Sequence, residues 1–418
     1  MDSLGRQPAT PAFPIVVQKY GGTSVGDLDR IRKVAARIRR YVENGNKVAV
    51  TVSAMGRSTD RLISMAKEVT PRPSRRELDV LMSTGEQQSI ALLSITLQDM
   101  GISARSFTGQ QAGFLTDDRS GSARILEVNP EKMLTAFDDV DVCVIAGFQG
   151  VDEEGNITTF GRGGSDTTAV AAAAALGATE CEIYTDTEGV YTTDPHLVPG
   201  AKKLEVVDYD EMLELASLGA GVLHPRSVWY ARRYGVVIHV RSSFSYSSGT
   251  LVKRLEESMK TDNPVTGVAL DRNHARIDLL GVPDEPGVAA RVFNALGSAG
   301  ISADMIIQGV PGDGSSRQQM AFTTNKDGVK DAIDALEPIL AEIGGRVQAD
   351  EAIAKLSVVG IAIGSTPGIA GKVFEAVSSV GANIEMITTS EVRVSVVIPD
   401  ERATEALKAV HAMFNLED

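Results

Sequence analysis

Over residues 14–250 short runs of β-branched and apolar residues alternate with stretches of helical period. Residues 14–20 predict a strand, and 27–43 a helix with one basic face. A buried strand is predicted over 47–53, followed by a helix from about Thr59. Residues 140–148 and 181–185 read as two more buried strands, and 169–176 as a helix of small side chains that must pack tightly. Such alternation predicts a mostly parallel sheet covered on both faces, with ligands at the C-terminal ends of its strands.

The pattern changes after residue 264, where a unit occurs twice. IDLLGVPDEPGVAARVFNALGSAGISADMI (277–306) and LSVVGIAIGSTPGIAGKVFEAVSSVGANIEMI (356–387) coincide once two residues are inserted. The shared positions include Gly281/Gly360, Pro286/Pro367, Gly287/Gly368, Phe293/Phe374, Gly300/Gly381 and Met305/Met386. A spacing of about 80 residues is too long for a solenoid repeat, so a small domain has been duplicated. Each copy reads strand, Pro-Gly turn, amphipathic helix, strand; Val288, Val292 and Leu296 mark one helix face. Strands are also predicted at 319–323 and 392–398.

Composition narrows the class. The chain has 418 residues, enough for two or three domains. At 43% hydrophobic and 23% charged it reads as an ordinary soluble protein. The longest apolar run, 169–178, is about half a membrane span. Residues 1–14 hold three prolines and lack the apolar core of a signal peptide, which predicts a disordered lead-in. Two cysteines, Cys143 and Cys181, lie inside apolar strands and are expected to be packing residues in a reducing, cytoplasmic location. No histidine has the spacing of a zinc site. A net charge of −14 argues against nucleic acid, and it requires any anion site to be built locally.

Two glycine-rich segments meet that requirement. Lys19-Tyr20-Gly21-Gly22-Thr23-Ser24 ends the first strand; its glycines admit backbone N–H groups to phosphate oxygens, and the lysine adds a compact charge. A tight strand-to-helix turn with a surface lysine explains the same letters. Gly161-Arg162-Gly163-Gly164-Ser165-Asp166-Thr167-Thr168 opens the alanine-rich helix, with Ser165, Asp166 or Thr167 expected as its cap. A capped helix after a glycine turn accounts for the caps but leaves the arginine among the glycines unexplained, whereas an anion site at a helix N-terminus accounts for both. Neither segment is a GxxxxGK[ST] or a GxGxxG loop. Thr185-Asp186, Ser53, Thr59 and Gly85-Glu86 each place a polar group at a predicted element end and are weak signals alone.

Taken together, KYGGTSV, VSAMG, STGE, GFQG, GRGGSDTTA, YTDTEGVYTTDP and HPRS resemble the aspartate kinases of the amino-acid kinase superfamily, in order and spacing, from about Val16 to Phe414. The repeated unit resembles a pair of ACT domains, βαββαβ modules that bind free amino acids. The resemblance implies a carbamate-kinase-like three-layer α/β/α catalytic domain over 15–250. Two α+β, ferredoxin-like ACT domains would follow over 264–350 and 351–418, the start of the first being shared with the second. It implies ATP with Mg²⁺ carried mainly on ATP and no protein metal site. The substrate would be L-aspartate, with lysine, threonine or both as effectors, and ACT pairing would give a homo-oligomer, dimer or tetramer.

The same resemblance assigns residues. Lys19 would contact the transferring phosphate, oriented by Asp166. Ser53, Thr59, Gly163, Gly164 and Ser165 would line the substrate region. Glu86 would take the aspartate ammonium and Arg162 its α-carboxylate, where a guanidinium can bind bidentately. Lys19, Tyr20, Gly21, Gly22, Thr185, Asp186, Tyr191 and Asp194 would hold ATP. Asp284, Gly287, Ala289, Gln308, Asn383 and Ile384 match effector positions. One departure stands out: the family often has a lysine three residues before the HPRS histidine, and here that position is Gly221, with Arg226 or Lys202 as candidate replacements.

The chemistry fits this inventory. An aspartate side chain is already ionised at neutral pH, so no general base is needed; alignment and positive charge on the phosphoryl oxygens are. Two other readings share much of the pattern: a kinase of another acceptor such as glutamate or N-acetylglutamate, and an idle amino-acid sensor, which Gly221 alone favours.

Overall fold

A computed structural model describes residues 13–219, 221–255, 263–309 and 317–417. Apart from Phe13 and Pro14, the expected lead-in lies outside them. Two compact units are present. The first uses the chain up to Val190, Lys203–Ser217 and the stretch beginning at Gly221; the second uses Tyr191–Lys202 and the C-terminal half.

The first unit is built on an eight-stranded sheet. Its order is Val206–Val207, Thr250–Val252, Val237–Ser242, Glu180–Thr185, Ile15–Tyr20, Lys47–Val52, Val142–Ala146 and Ala104–Phe107. The six strands from Val237–Ser242 onward are parallel, as their continuous apolar sequences require. Helices Leu28–Glu43 and Arg75–Asp99 cover one face through Ile31, Ile38, Leu93 and Leu97. The other face carries Gly164–Leu176, in which every residue from Gly164 to Ala173 is buried. Asp27 caps the first helix by accepting from the Arg30 N–H at 2.8 Å. A second sheet of four short strands, ending in Gln149–Val151 and Ile157–Thr159, lies beyond the main sheet's pattern and is absent from the sequence reading. The 25-residue helix Arg75–Asp99 escapes it too, and Gly85-Glu86 therefore sits mid-helix rather than at an element end.

Both cysteines are buried and unpaired, and burial pushes the Cys143 thiol up to about 12. Such thiols are inert packing groups. Among the described residues no helix is long and apolar enough to cross a membrane.

In the second unit each repeat forms its own four-stranded sheet. The first runs Asp304–Gln308, Arg317–Asn325, His274–Pro283, Arg346–Asp350; the second runs Gly267–Asp271, Ile353–Val359, Arg393–Pro399, Met386–Thr389. Gly267–Asp271 pairs antiparallel with Ile353–Val359, so the second sheet is completed by a strand that precedes the first repeat. Gly287 and Gly368 cap equivalent helices at φ +95° and +88°, a left-handed conformation that glycine adopts without strain. The repeats exchange charges reciprocally. Asp304 of the first meets Lys355 of the second at 3.0 Å, and Glu385 of the second meets Arg276 of the first. These positions are equivalent in the duplication, Arg276 with Lys355 and Asp304 with Glu385. Segment Tyr191–Lys202 is pinned to the second repeat: Thr192 Oγ1 lies 2.9 Å from His411 Nε2, and Val198 and Ala201 join that core.

Candidate active site

The loops after the parallel strands enclose a cleft of about 950 Å³ in the first unit. It is lined by Lys19, Gly21, Gly22, Ser53, Thr59, Glu86, Arg162, Gly163, Gly164, Ser165 and Asp166, which are scattered over nearly 150 residues of chain.

Lys19 sits one residue before the end of its strand, and its Nζ lies 2.6 Å from Asp166 Oδ1. Both side chains are nearly enclosed, at 12% and 11% exposure, so the pair is weakly screened. Gly22 is glycine because a Cβ would come within 2.9 Å of Ala54 O; the two loops are joined there by Gly56 N–H to Gly22 O, 3.0 Å. Gly85 plays the same part on the long helix, where a Cβ would lie 2.8 Å from that of Ala54. The close approach lets Glu86 Oε1 accept from the Ala54 N–H at 3.1 Å. Glu86 Oε2 is buried and has no protein donor. Burial pushes this carboxyl from 4.5 up to about 7, only partly offset by the Ala54 N–H.

The Gly161–Ser165 loop departs from its expected cap. The helix begins at Gly164, and its N-cap is Gly163, at φ +67° and without a capping side chain. Ser165, Asp166 and Thr167 instead occupy the first turn, so the N–H groups of Ser165 and Asp166 have no partner within the helix. The HPRS motif buttresses this loop. A Cβ on Gly163 would meet His224 at 2.1 Å, and Arg226 Nη1 donates to Phe160 O at 2.7 Å. Arg226 thus supports the loop through one of its donors, and Gly221, where the family often has a lysine, has a left-handed backbone at φ +67°.

Other sequence candidates lie elsewhere. The Tyr20 ring is 1% exposed and stacks on Tyr184 at 4.7 Å, while its carbonyl accepts from Ser53 N–H. Thr185 ends the neighbouring strand and Asp186 follows it, and neither lines the cleft; Thr185 Oγ1 donates to Asp186 at 3.2 Å. Tyr191 and Asp194 belong to the second unit. Asp284, Gly287, Gln308 and Asn383 are exposed, and Ala289 and Ile384 are half-buried, on the two repeats. Gln308 Nε2 donates to Gln318 at 2.8 Å.

The cleft adds residues that sequence reading missed: Arg75, Asp79, Phe148 and Thr159. Phe148 adopts φ +71°, uncommon for a bulky residue, inside GFQG. Asp79 stands seven residues before Glu86, and the observed helix places the two on one face. With a buried acid, an exposed arginine and a lysine–helix N-terminus centre in one cleft, the first unit can hold an amino acid by both charges and present its side chain to a phosphate.

Comparison with known proteins agrees. The amino acid kinase family matches residues 14–242, and ACT domains match 277–341 and 356–414. An aspartokinase of Thermus thermophilus is 64% identical over 403 residues, covering 96% of this chain and 99% of that one. The crystal structure of E. coli aspartokinase III in complex with aspartate and ADP (R-state) is similar at TM-score 0.80 and 27% identity, over 96% of this chain and 99% of that one. The same enzyme in complex with lysine and aspartate (T-state) gives 0.72 and 27%, over 97% and 100%. By sequence over nearly its whole length and by fold, the chain belongs to the aspartokinases, carboxyl-phosphorylating enzymes of the amino acid kinase family.

Proposed function

We propose that the chain transfers the γ-phosphoryl group of ATP to the side-chain carboxylate of L-aspartate, giving ADP and 4-phospho-L-aspartate. This would open the pathway to lysine, threonine and methionine. The observation that carries the reading is Glu86: a buried carboxylate with one oxygen lacking a protein partner, in the same cleft as Arg162 and the Lys19–Asp166 pair. An α-amino acid offers an ammonium for the first and a carboxylate for the second. Its side chain then reaches Lys19 and the first turn at Ser165 and Asp166. Ser53, Thr59, Gly163 and Gly164 border the acceptor, and Gly21 and Gly22 the phosphate path. Thr185 and Asp186 are proposed to hold the nucleotide, together with the backbone at Tyr20. Mg²⁺ would arrive on the ATP phosphates and neutralise their charge; the attacking carboxylate needs no base.

The domain limits follow as 15–250 for catalysis, 264–350 and 351–418 for the ACT pair. Lysine, threonine or both would bind at Asp284, Gly287, Ala289 and Gln308 with Asn383 and Ile384. The edge strands Asp304–Gln308 and Met386–Thr389 expose Ile306 and Ile387, which supports pairing of ACT sheets between copies. Buried free thiols suit a reducing cytoplasm. The test is ATP turnover with L-aspartate and Mg²⁺, trapping the acyl phosphate with hydroxylamine. Aspartate-dependent hydroxamate that falls when lysine or threonine is added is the expected result. No product from aspartate, with product from glutamate or N-acetylglutamate, would replace the acceptor; ligand binding without turnover would make the chain a sensor.

A further inference from the structure

Asp79 is fully buried, and among the described residues no ion pair neutralises it. Its carboxylate faces the backbone on the opposite side of the cleft. Oδ2 accepts from Gly121 N–H at 2.9 Å and Thr159 N–H at 3.1 Å, and Oδ1 accepts from Thr159 Oγ1 at 2.7 Å. These are the two segments beneath the arginine loop. Thr159 stands three residues before Arg162, and a Cβ on Gly161 would come within 3.0 Å of Gly121 O. The Thr159 carbonyl also accepts from Ala123 N–H at 2.9 Å, which joins the two segments directly. On the helix side, Asp79 and Glu86 are separated by seven residues of Arg75–Asp99, two turns on one face.

We propose that Asp79 is a positioning residue that ties Glu86 to Arg162 and so fixes where the α-carbon of the amino acid sits, which decides the side-chain length that reaches Lys19 and the phosphate; the inference rests on the acceptor reading above. The two charges on the α-carbon of the bound amino acid are held by residues on different elements, the ammonium by Glu86 on the long helix and the α-carboxylate by Arg162 on the loop after Ile157–Thr159. A specific acceptor needs its α-carbon held at a fixed place relative to Lys19, because a longer acid differs only by one side-chain methylene, which binding alone discriminates weakly. Asp79 is the side chain that bonds both segments under the arginine loop from the helix that carries the acid. Burying a carboxyl without a cation is unfavourable, and burial does push this one upward. Packing alone would be served by an apolar residue.

The experiment uses the full chain. Wild type, Asp79→Ala, Asp79→Asn and Thr159→Val are assayed with ATP and either L-aspartate or L-glutamate. Asp79→Ala is expected to raise the aspartate KM at least about 20-fold and leave the ATP KM within about two-fold. It should also lower the aspartate-over-glutamate ratio of kcat/KM at least about ten-fold. Asn can accept both N–H groups and donate to Thr159 Oγ1, so it should restore wild-type values within about three-fold. Thr159→Val removes one contact and should shift the aspartate KM the same way by about three-fold or more. It decides the matter should Asp79→Ala fail to fold. Unchanged aspartate KM and unchanged acceptor ratio in these variants overturn the proposal and leave Asp79 a stability residue. Wild type inactive on aspartate overturns the functional reading first, and this inference with it.

Discussion

Replacing Glu86 by glutamine separates the electrostatics of the cleft from its shape. Glu86 is 3% exposed, and burial pushes its carboxyl from 4.5 to about 7. At 1.36 kcal/mol for each pH unit, that gap is worth about 3 kcal/mol, read as an upper figure because the group sits at a cleft. The sign follows from linkage. The folded chain holds the proton more tightly than the unfolded one, so this stabilisation is complete below pH 4.5 and is lost as pH rises through about 7. Glutamine does not titrate. It keeps an acceptor for the Ala54 N–H and leaves a buried amide donor unsatisfied, at a constant cost of about 1–3 kcal/mol. Urea unfolding of both chains from pH 5 to 8.5, following the kinase transition, should show the variant gaining on wild type by up to about 3 kcal/mol. The gain should level off above about pH 7. In the same variant the aspartate KM should rise about 100-fold or more, because a buried ammonium loses its counter-charge. Wild-type kcat/KM for aspartate should fall on the acid side of about pH 7, where Glu86 protonates. A stability difference that stays flat with pH, together with a pH-independent kcat/KM, would refute the assignment.

Three further outcomes follow from the distances in the two units. Lys19→Met should lower kcat by about 10³-fold or more and destabilise the chain by stranding Asp166; adding Asp166→Asn should recover stability in thermal unfolding but not turnover. Gly163→Ala forces alanine to φ +67° and drives a Cβ into His224, so it should cost about 2 kcal/mol or more in unfolding and raise the aspartate KM through the displaced Arg162. Lys355→Met, alone or with Arg276→Met, removes the reciprocal charges between the repeats. Lys355 is 3% exposed but Asp304 is 37% exposed, so the stability cost is about 1–2 kcal/mol. The uninhibited rate should stay within about two-fold while half-inhibition by lysine or threonine needs several-fold more effector, measured by titration.

What was legible in the sequence was what repeats or is continuous. The parallel strands showed as unbroken apolar runs, and their observed limits, such as Lys47–Val52 and Glu180–Thr185, fall within a few residues of the reading. The duplication showed because both copies keep a glycine at the left-handed cap, Gly287 and Gly368. The long helix did not show. Arg75–Asp99 buries Asp79, Ser83, Glu86, Ser89 and Ser94 together with its apolar residues, so its inward face is polar where it borders the cleft and no apolar stripe forms. Function thus erased the periodicity by which the helix would have been found. The small sheet failed for another reason: Phe114–Thr116, Gln149–Val151 and Ile157–Thr159 are three residues each, too short to carry a period.

The cap of the Gly164–Leu176 helix shows why the remaining error was informative. Sequence rules place a Ser, Asp or Thr at the N-cap, where its oxygen would accept the orphan N–H groups of the first turn. In the structure the cap is Gly163, which has no side chain to do so, and Ser165, Asp166 and Thr167 lie two to four positions inside. The consequence is electrostatic. A chain of net charge −14 must attract triphosphate and aspartate without a broad positive surface. An uncapped helix N-terminus offers roughly half a positive charge and free N–H donors to an oxyanion. Moving Asp166 into the first turn turns its carboxylate toward Lys19, at 2.6 Å, instead of back onto the helix. The lysine is then held beside the N–H groups rather than free to fold onto Glu86, the other acid of the cleft that lacks a full set of partners. Positive charge is thereby confined to the place where a phosphoryl group would pass, and the buried acid that receives the ammonium stays available.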